Sequence, residues 1–326
     1  MFRTSGSHVL ASYFVATCAL AAAVAVPAQA ADPAWIKPTG EALSIDATGN
    51  GINAIATSND GKQLFIDTEP AWFVLDAASG KPARASLPGH RDTSGLAAPT
   101  GSAIRLFVTT WVNLPNADKS GRTAPKQAGE LLALDVASKK SQRLLELKAE
   151  PHVLAASADG KRVALGFADG SVQVIDGASG KSLLGPVKLL KGIAIAGQHV
   201  EGTEGVSALA FSADGTRLAV AGEDVSLRVI DSAGGKQLMA FAYGTLSGSG
   251  TNTRTEHIAF TPDGSRLVTT AQDRNLRLHD AATGKLLGEP VRVPGGVSAL
   301  AIGTDGKTVF TGDNEGRLQR WDLLAH

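Results

Sequence analysis

One turn motif recurs along most of this chain and constrains its fold more than any other feature of the sequence. In this motif an Asp at the end of an apolar segment is followed by small residues and then by Lys. Full copies occupy residues 76–81, 135–140, 176–181, 231–236 and 280–285, and Asp322 begins a further copy close to the end of the sequence. A motif that returns at a roughly regular spacing is typical of proteins built from repeated supersecondary units.

A second turn, Asp-Gly, alternates with the first along the chain. It occurs at residues 60–61, 159–160, 214–215, 263–264 and 305–306, and Thr100-Gly101 takes its place once. Asp-Gly between alternating apolar segments is typical of a β-hairpin. In the clearest unit, residues 205–236, the pattern predicts strands over residues 206–212, 216–222 and 227–231.

Six copies of each turn predict an all-β fold: a single β-propeller of six four-stranded blades, with strands a, b, c and d in chain order. A seventh blade would have to fit within residues 185–205, which is short for four strands. An open stack of sheets would leave unpaired edges. The last unit stops after its third strand, at Asp322, while residues 41–48 alternate apolar and polar side chains. We therefore expect this N-terminal strand to complete the C-terminal blade and close the ring.

The units resemble WD40-type repeats and the related YVTN-type propeller repeats of bacterial surface and periplasmic proteins, over residues 36–326. The resemblance is carried by the Asp-Gly turn, by an acidic residue between strands b and c, and by a strand c that ends in Trp-Asp or apolar-Asp. The acidic position holds Asp169, Asp224, Asp273, Glu69 and Glu315. Only Trp321-Asp322 is a literal Trp-Asp pair, and only residues 89–90 match the Gly-His dipeptide of the family.

The N-terminus has the pattern of an export signal. Arg3 precedes an uncharged segment over residues 9–26, and Ala28-Gln29-Ala30 supplies the small residues that a signal peptidase requires. We expect a signal peptide over residues 1–30, a propeller domain over residues 31–326 and a periplasmic or secreted location, without stable membrane insertion after cleavage. An uncleaved membrane anchor is the alternative. A lipoprotein is disfavoured because Thr17 precedes Cys18.

Composition narrows the function classes. The chain has 31 basic and 31 acidic residues, which disfavours nucleic-acid binding through a strongly basic surface. Cys18 is the only cysteine and lies in the predicted signal peptide, so we expect neither disulfides nor thiolate chemistry in the mature chain. The histidines are scattered, and no nucleophile motif or phosphate-binding glycine loop is present. We therefore expect no metal, no cofactor and no catalytic residue.

Insertions single out one end of the predicted blades. Successive strands are antiparallel, so the a–b and c–d turns lie at one end, and the b–c and d–a connections at the other. The long segments, residues 111–129, 185–205 and 243–255, all belong to the b–c and d–a class. Variable loops on a rigid scaffold often carry binding function. The second insertion is mildly amphipathic, with Lys188 and Lys191 beside the apolar Leu189, Leu190, Ile193 and Ile195. It packs over a neighbouring blade, caps the channel or binds a partner, and packing is the favoured interpretation.

A polar column marks the same end. Eight residues before the turn glycine of five units the sequence has Asn53, His152, Ser207, Glu256 and Ser298, at the start of each innermost strand and hence around the channel mouth. The simpler explanation is that strand starts are solvated and therefore polar. The insertions add Trp111, His199 and Arg254. These eight residues are the candidate partner-binding residues.

The pattern favours an exported, non-enzymatic scaffold that binds a protein or peptide through this face. One alternative is a periplasmic propeller hydrolase or oxidoreductase, for example with His152 and Glu256 as an acid/base pair at the channel mouth. Another is a small-ligand or glycan binder that uses Trp35, Trp111 or Tyr243.

Overall fold

A computed structural model describes residues 35–45, 51–58, 60–68, 71–88, 93–97, 105–113, 127–135, 140–195, 198–200, 203–242 and 254–324. Residues Pro33–His326 belong to one compact unit. Within the described residues the chain is all-β, with 27 strands and no helix. No helix in these ranges therefore has the length and apolar character needed to cross a membrane. The predicted signal peptide, residues 1–30, lies outside the described residues.

The strands follow the predicted order. Two short strands come first, β1 (Ile36–Pro38) and β2 (Leu43–Ser44). The first sheet contains β3 (Ala54–Thr57), β4 (Gln63–Thr68), β5 (Ala71–Asp76) and β6 (Pro82–Pro88). The second contains β7 (Thr93–Ala97), β8 (Arg105–Asn113), β9 (Gln127–Asp135) and β10 (Lys140–Leu147). The third contains β11 (Pro151–Ala156), β12 (Arg162–Phe167), β13 (Ser171–Asp176) and β14 (Ser182–Lys188).

A hairpin of β15 (Ile193–Ile195) and β16 (Gln198–Val200) separates the third and fourth sheets. The fourth sheet contains β17 (Val206–Phe211), β18 (Arg217–Gly222), β19 (Ser226–Asp231) and β20 (Gln237–Ala242). The fifth contains β21 (Thr255–Phe260), β22 (Arg266–Ala271), β23 (Asn275–Asp280) and β24 (Val291–Arg292). The sixth contains β25 (Ala299–Ile302), β26 (Thr308–Gly312) and β27 (Arg317–Leu323), joined by β1 and β2.

Five of these sheets have four antiparallel strands each, paired in chain order, and they are arranged as the blades of a β-propeller. This arrangement confirms the predicted all-β propeller. The strands predicted at residues 206–212, 216–222 and 227–231 differ from β17, β18 and β19 by a single residue at one end.

The Asp-Gly turn is held by its own side chains. In the fourth sheet, the Ser212 hydroxyl donates to Asp214 Oδ1 at 2.5 Å and the Thr216 N–H donates to the same oxygen at 3.0 Å. These donors stabilise the carboxylate, so the pKa of Asp214 lies below its usual range, with the Ser212 bond as the largest cause. Gly215 follows with φ +69°, which explains why this position is glycine. The same Ser/Thr-to-Asp bond occurs at Ser58–Asp60, Ser157–Asp159 and Thr261–Asp263.

Neighbouring sheets pack face to face through apolar clusters. One cluster joins the third and fourth sheets, and Leu190, between β14 and β15, is fully buried within it. A Cβ added at Gly222 would lie 2.3 Å from a Leu190 methyl carbon, so this leucine fills the space beside strand β18. The favoured interpretation of the insertion, packing over a neighbouring sheet, is therefore confirmed at Leu190.

The N-terminal strands pair with the outer edge of β27. The sequence predicts one strand over residues 41–48, but two short strands are found, and pairing begins earlier, with Ile36 opposite Leu323. Gly40, at φ +71°, lies between them. The difference arises because Trp35 is buried: it is 1% exposed, and its Nε1 donates to the Glu289 carbonyl at 2.7 Å. The idea that Trp35 offers an exposed ring to a ligand is therefore wrong.

The b–c turns place one residue in the left-handed region of φ. This residue is Gly170 (φ +80°), Val225 (φ +51°), Arg274 (φ +61°) or Gly316 (φ +75°). In the sixth sheet the acidic partner of the turn is Asp313, which pairs with Arg317 at 2.7 Å and accepts the N–H of Glu315. Glu315 itself is largely exposed, and its carboxylate pairs with Arg317 at 2.9 Å. The turn role predicted for Glu315 is thus carried by Asp313, two residues earlier.

A chain that begins at Gly49 should unfold at a far lower temperature than one that begins at Ala31. The shorter chain lacks Trp35 and Ile36, which are buried, and exposes the β27 edge. Loss of a buried aromatic side chain costs about 3–5 kcal/mol of unfolding free energy. Thermal unfolding measures the difference, and Trp35→Ala in the longer chain should reproduce much of it. Equal midpoints would contradict the buried position of this segment.

Arg274→Gly should raise the free energy of unfolding by about 1 kcal/mol, because a left-handed φ is costly for a residue with a Cβ. Arg274 is exposed, so little packing is lost. Arg274→Ala is the matched control, since it removes the long side chain but keeps the Cβ. Urea unfolding should show stabilisation only for the glycine variant. Equal effects of the two substitutions would point to the side chain instead of the backbone.

Candidate functional site

A cavity of about 530 Å³ lies between the first strands of the sheets. Its walls come from β3, β11, β17, β21 and β25 and the residues next to them. The side chains of β7 are not among those described. Small residues such as Ala54, Ala208 and Ala301 line its length, which leaves an open central channel. A volume of this size can hold a small ligand or a few residues of a peptide.

Polar side chains line one end of the channel. Asn53, His152, Ser207 and Glu256 all contribute to the cavity wall, and they come from four different sheets. These are four members of the polar column that the sequence indicates. The structure thus brings them together around one opening, at the end where the b–c and d–a connections join the strands.

A β-bulge lies at three of these four residues. Strand pairing skips from Pro151 to Val153, from Val206 to Ala208 and from Thr255 to His257, so His152, Ser207 and Glu256 each lack a register partner. In the first sheet, the Asn53 N–H donates to the carbonyl of Asp67, which is also the register partner of Ala54. A bulge adds one residue to a strand and redirects its side chain, and bulges are common beside functional sites.

Ser298 occupies the equivalent position in the sixth sheet but has a different role. Its N–H donates to the Gly312 carbonyl, and its hydroxyl donates to the Ile52 carbonyl at 2.6 Å. Ser298 does not line the cavity. Its side chain instead joins the sixth sheet to the residue before the first sheet, because Ile52 lies within its reach.

The carboxylate of Glu256, at the channel mouth, has a raised pKa. Burial is the largest cause that raises its pKa, and the charges of Asp273 and Glu223 raise it further. Arg254 acts in the opposite direction, but its guanidinium is paired with Glu223. Glu256 is therefore a partly buried acid, and Arg254, the cation that acts on it, is paired with another carboxylate.

Three polar atoms without a hydrogen-bond partner lie where the fourth and fifth sheets meet. They are Ser207 Oγ, Arg254 Nε and Thr270 Oγ1, and each is buried. Thr270 is the register partner of His257, the residue after Glu256. Buried polar atoms are normally satisfied by protein, water or a ligand. This part of the mouth therefore has unused hydrogen-bonding capacity.

His257 is a second partly buried ionisable group at the cavity wall, which the polar column does not include. Burial lowers its pKa to about 4, opposed by a hydrogen bond with the backbone of Val297. The bulge at Glu256 interrupts the alternation of inward and outward residues in β21. For that reason the spacing of residues along β21 does not predict which face of the sheet His257 occupies. In the sequence, only its position next to Glu256 marks His257 as a candidate site residue.

For two candidate residues of the insertions, the structure describes the backbone but not the side chain. Trp111 lies in β8 opposite Gly129, and His199 lies in β16 opposite Ala194, but their side chains are not among those described. Tyr243 and residues 114–126 lie outside the described ranges. Among the described side chains, no group of three or more His, Asp or Glu is placed to hold a metal ion.

Stability should fall as pH decreases from about 6.5 to about 4, because unfolded His257 protonates near pH 6.5 whereas the folded residue resists protonation until about 4. Burial also lowers the pKa of His279 to about 4, so His279 contributes to the loss of stability over the same pH range. His257→Gln should flatten the decline in thermal midpoint over this range. Exposed His152 provides the control, and His152→Gln should leave the slope unchanged. An unchanged slope in the His257 variant would contradict its burial as a neutral ring.

Comparison with known families gave two matches to the same repeat model. The model described as "WD domain, G-beta repeat" matches residues 195–231 and 243–280. Each match ends at the Asp that closes strand c, Asp231 or Asp280. The matches therefore fall on the units that contain Ser207, Arg254 and Glu256. A search of curated proteins found no match.

Proposed function

We propose that this chain, which is a WD40-like β-propeller, is an exported, non-enzymatic binding protein. In this proposal it holds a protein or peptide partner at the channel mouth, on the face that carries the long connections. WD40-like propellers commonly serve as rigid scaffolds whose loops contact partners.

One observation carries the proposal. Asn53, His152, Ser207 and Glu256 come from separate sheets yet line the same end of one cavity. Three of them occupy register bulges, which removes their side chains from the packing between sheets. Equivalent strand starts converge in any propeller, so the bulges are what distinguish these positions from ordinary solvated strand starts.

A polypeptide fits this mouth better than a compact ligand does. The polar residues form a ring around the opening, whereas the deeper wall is lined by small apolar side chains such as Ala208 and Ala301. The strands that flank the long connections, β8 and β9, β14 and β17, and β20 and β21, meet those connections at this same end. A peptide can contact both the ring and these connections. A small molecule would use the ring alone.

We further propose that the six sheets form a closed ring of six blades. Two cross-contacts support closure between the sixth and first sheets: Ser298 Oγ to the Ile52 carbonyl at 2.6 Å and Thr57 Oγ1 to the Ile302 carbonyl at 3.3 Å. A shared apolar cluster includes Ile52, Phe310 and Leu318. Pairing of β1 and β2 with β27 supports the N-terminal strand as the element that completes the last blade. Export to the periplasm or the exterior rests on the signal pattern of residues 1–30.

Affinity capture from the native envelope fraction tests the proposed face. A variant with Asn53→Ala, His152→Ala and Glu256→Gln should recover at least about tenfold less partner, as expected when central interface side chains are removed. The matched control carries Lys81→Ala, Lys236→Ala and Lys285→Ala, exposed residues of the c–d turns, and should recover the normal amount. If only the control loses capture, the binding face is the opposite one.

Measurements on the purified protein distinguish a binding protein from an enzyme. Elemental analysis and an absorption spectrum would reveal a stoichiometric metal or a chromophore, and either result would favour an enzyme at the channel mouth. A thermal-shift screen with small ligands and glycans would identify a small-molecule site. Stabilisation by such a compound, without any captured polypeptide, would contradict the protein-binding proposal.

A further inference from the structure

Arginines join neighbouring sheets at the end opposite the channel mouth. Arg162 of the third sheet donates through Nη1 to Ser232 Oγ at 2.8 Å and also contacts the Gly215 carbonyl of the fourth sheet. Arg217 of the fourth sheet donates to the Gly264 carbonyl of the fifth at 2.7 Å. Its guanidinium also lies over the ring of Phe260, 5.2 Å from the centroid. In both junctions a planar cation fills the space beside the next Asp-Gly turn.

Strand register identifies the same position in every sheet. It is the residue of strand b that lies opposite the Asp that ends strand c. The position holds Gln63, Arg105, Arg162, Arg217, Arg266 and, in the sixth sheet, Thr308. Thr308 is the one short side chain in the series, and its hydroxyl donates to Asp305 Oδ2 at 2.8 Å within its own turn. The sixth sheet therefore has no arginine to extend from this position towards the first.

A pocket of about 280 Å³ occupies this junction. Its walls include Thr308, Gly61 and Ala77, the counterparts of Arg162, Gly215 and Ser232 at the junction of the third and fourth sheets. Among the described residues, no donor reaches the Gly61 carbonyl, although the Gly215 and Gly264 carbonyls each accept from an arginine. The pocket thus retains a carbonyl acceptor and the space that an arginine uses elsewhere in this protein.

Arg320 occupies another wall of the pocket. In the other sheets the residue two positions before the strand-c Asp is apolar and buried: Val74, Ala133, Val174, Val229 and Leu278. Arg320 replaces them, and its Nη1 donates to the Ala78 carbonyl at 3.2 Å. Its Nε is buried without a partner. Burial raises the pKa of Asp305, but hydrogen bonds from Lys307 and Thr308 outweigh it, and the charge of Arg320 lowers the pKa further, so the two charges lie close together.

The charges of the pocket wall favour a second cation. Asp60 and Asp305 line the pocket together with Arg320, which leaves one formal negative charge in excess. The Asp60 carboxylate has a pKa below its usual range because the Ser58 hydroxyl and the Lys62 N–H donate to it, so it remains charged at neutral pH. One additional cation would neutralise the residues that line the pocket, beside the Lys62 ammonium that already acts on Asp60. A planar guanidinium fits better than an ammonium because its fork of donors can contact a carbonyl and a carboxylate at once.

We propose that the pocket between the first and sixth sheets binds the guanidinium group of an arginine side chain on a partner polypeptide. The bound guanidinium takes the position that Arg162 and Arg217 occupy at their own junctions. It donates to the Gly61 carbonyl. This site lies at the a–b turn end of the sheets, away from the channel mouth, and stands independently of the proposed function.

Backbone-amide NMR titration tests the proposal with Nα-acetyl-L-arginine amide as the probe. Resonances of Gly61, Ala77 and Ala78 should shift, and the citrulline analogue, which is neutral and similar in shape, should bind at least about tenfold more weakly. Equal binding of the two probes, or shifts confined to the channel mouth, would overturn the proposal.

Two variants should close the pocket by different means. Thr308→Arg supplies the arginine found at this position in four other sheets, and Ala77→Leu fills the space without a change in charge. Each should abolish the shifts at Gly61. The converse variant, Arg217→Thr, should open an equivalent site and produce new shifts at Gly264, giving two sites in place of one. Unchanged binding in either filled variant would contradict the assignment.

Discussion

Each sheet of this propeller has two apolar faces, and neither can be buried by the sheet alone. Strand β18 shows this directly. Leu218 and Val220 pack towards the third sheet, whereas Ala219 and Ala221 pack towards the fifth, and all four are fully buried. Alternate residues of a strand face opposite sides, so one strand contributes to two different clusters. A sheet of this kind is stable only between two neighbours, and this requirement governs the rest of the architecture.

That requirement also limits which residues are available for binding. Side chains on the two faces of a sheet are committed to packing, so function has to use the strand starts, the connections and the innermost edge. The bulges at His152, Ser207 and Glu256 show how this happens. An extra residue in the innermost strand no longer alternates between the two faces. It can therefore point into the channel without loss of contacts between sheets.

The opposite end of the sheets is committed mainly to structure. The Asp-Gly turns use their carboxylates within the turn, as Asp214 does with Ser212, and Arg162 and Arg217 then bind the turn of the next sheet. The Asp-Gly turns thus hold their own conformation and also accept hydrogen bonds from the neighbouring sheet. At the junction where chain ends and chain start meet, Thr308 and Arg320 depart from this scheme. There a threonine stands where four other sheets have arginine, and an arginine stands where the other sheets have a buried apolar residue.

The sequence by itself determined the repeat, the strand class and the polar column, because turn residues and alternation are local properties. Asp-Gly turns predict β17, β18 and β19 to within a residue, and counting from the turn glycine finds Asn53, His152, Ser207 and Glu256. Only the tertiary structure decided that Trp35 is buried, that Ser298 binds Ile52 and that Asp313 replaces Glu315 in its turn. It also decided that Thr308, Gly61 and Arg320 share a pocket. Those facts depend on contacts between residues more than two hundred positions apart or on a local register that the residue pattern leaves open, and no periodicity within one unit encodes them.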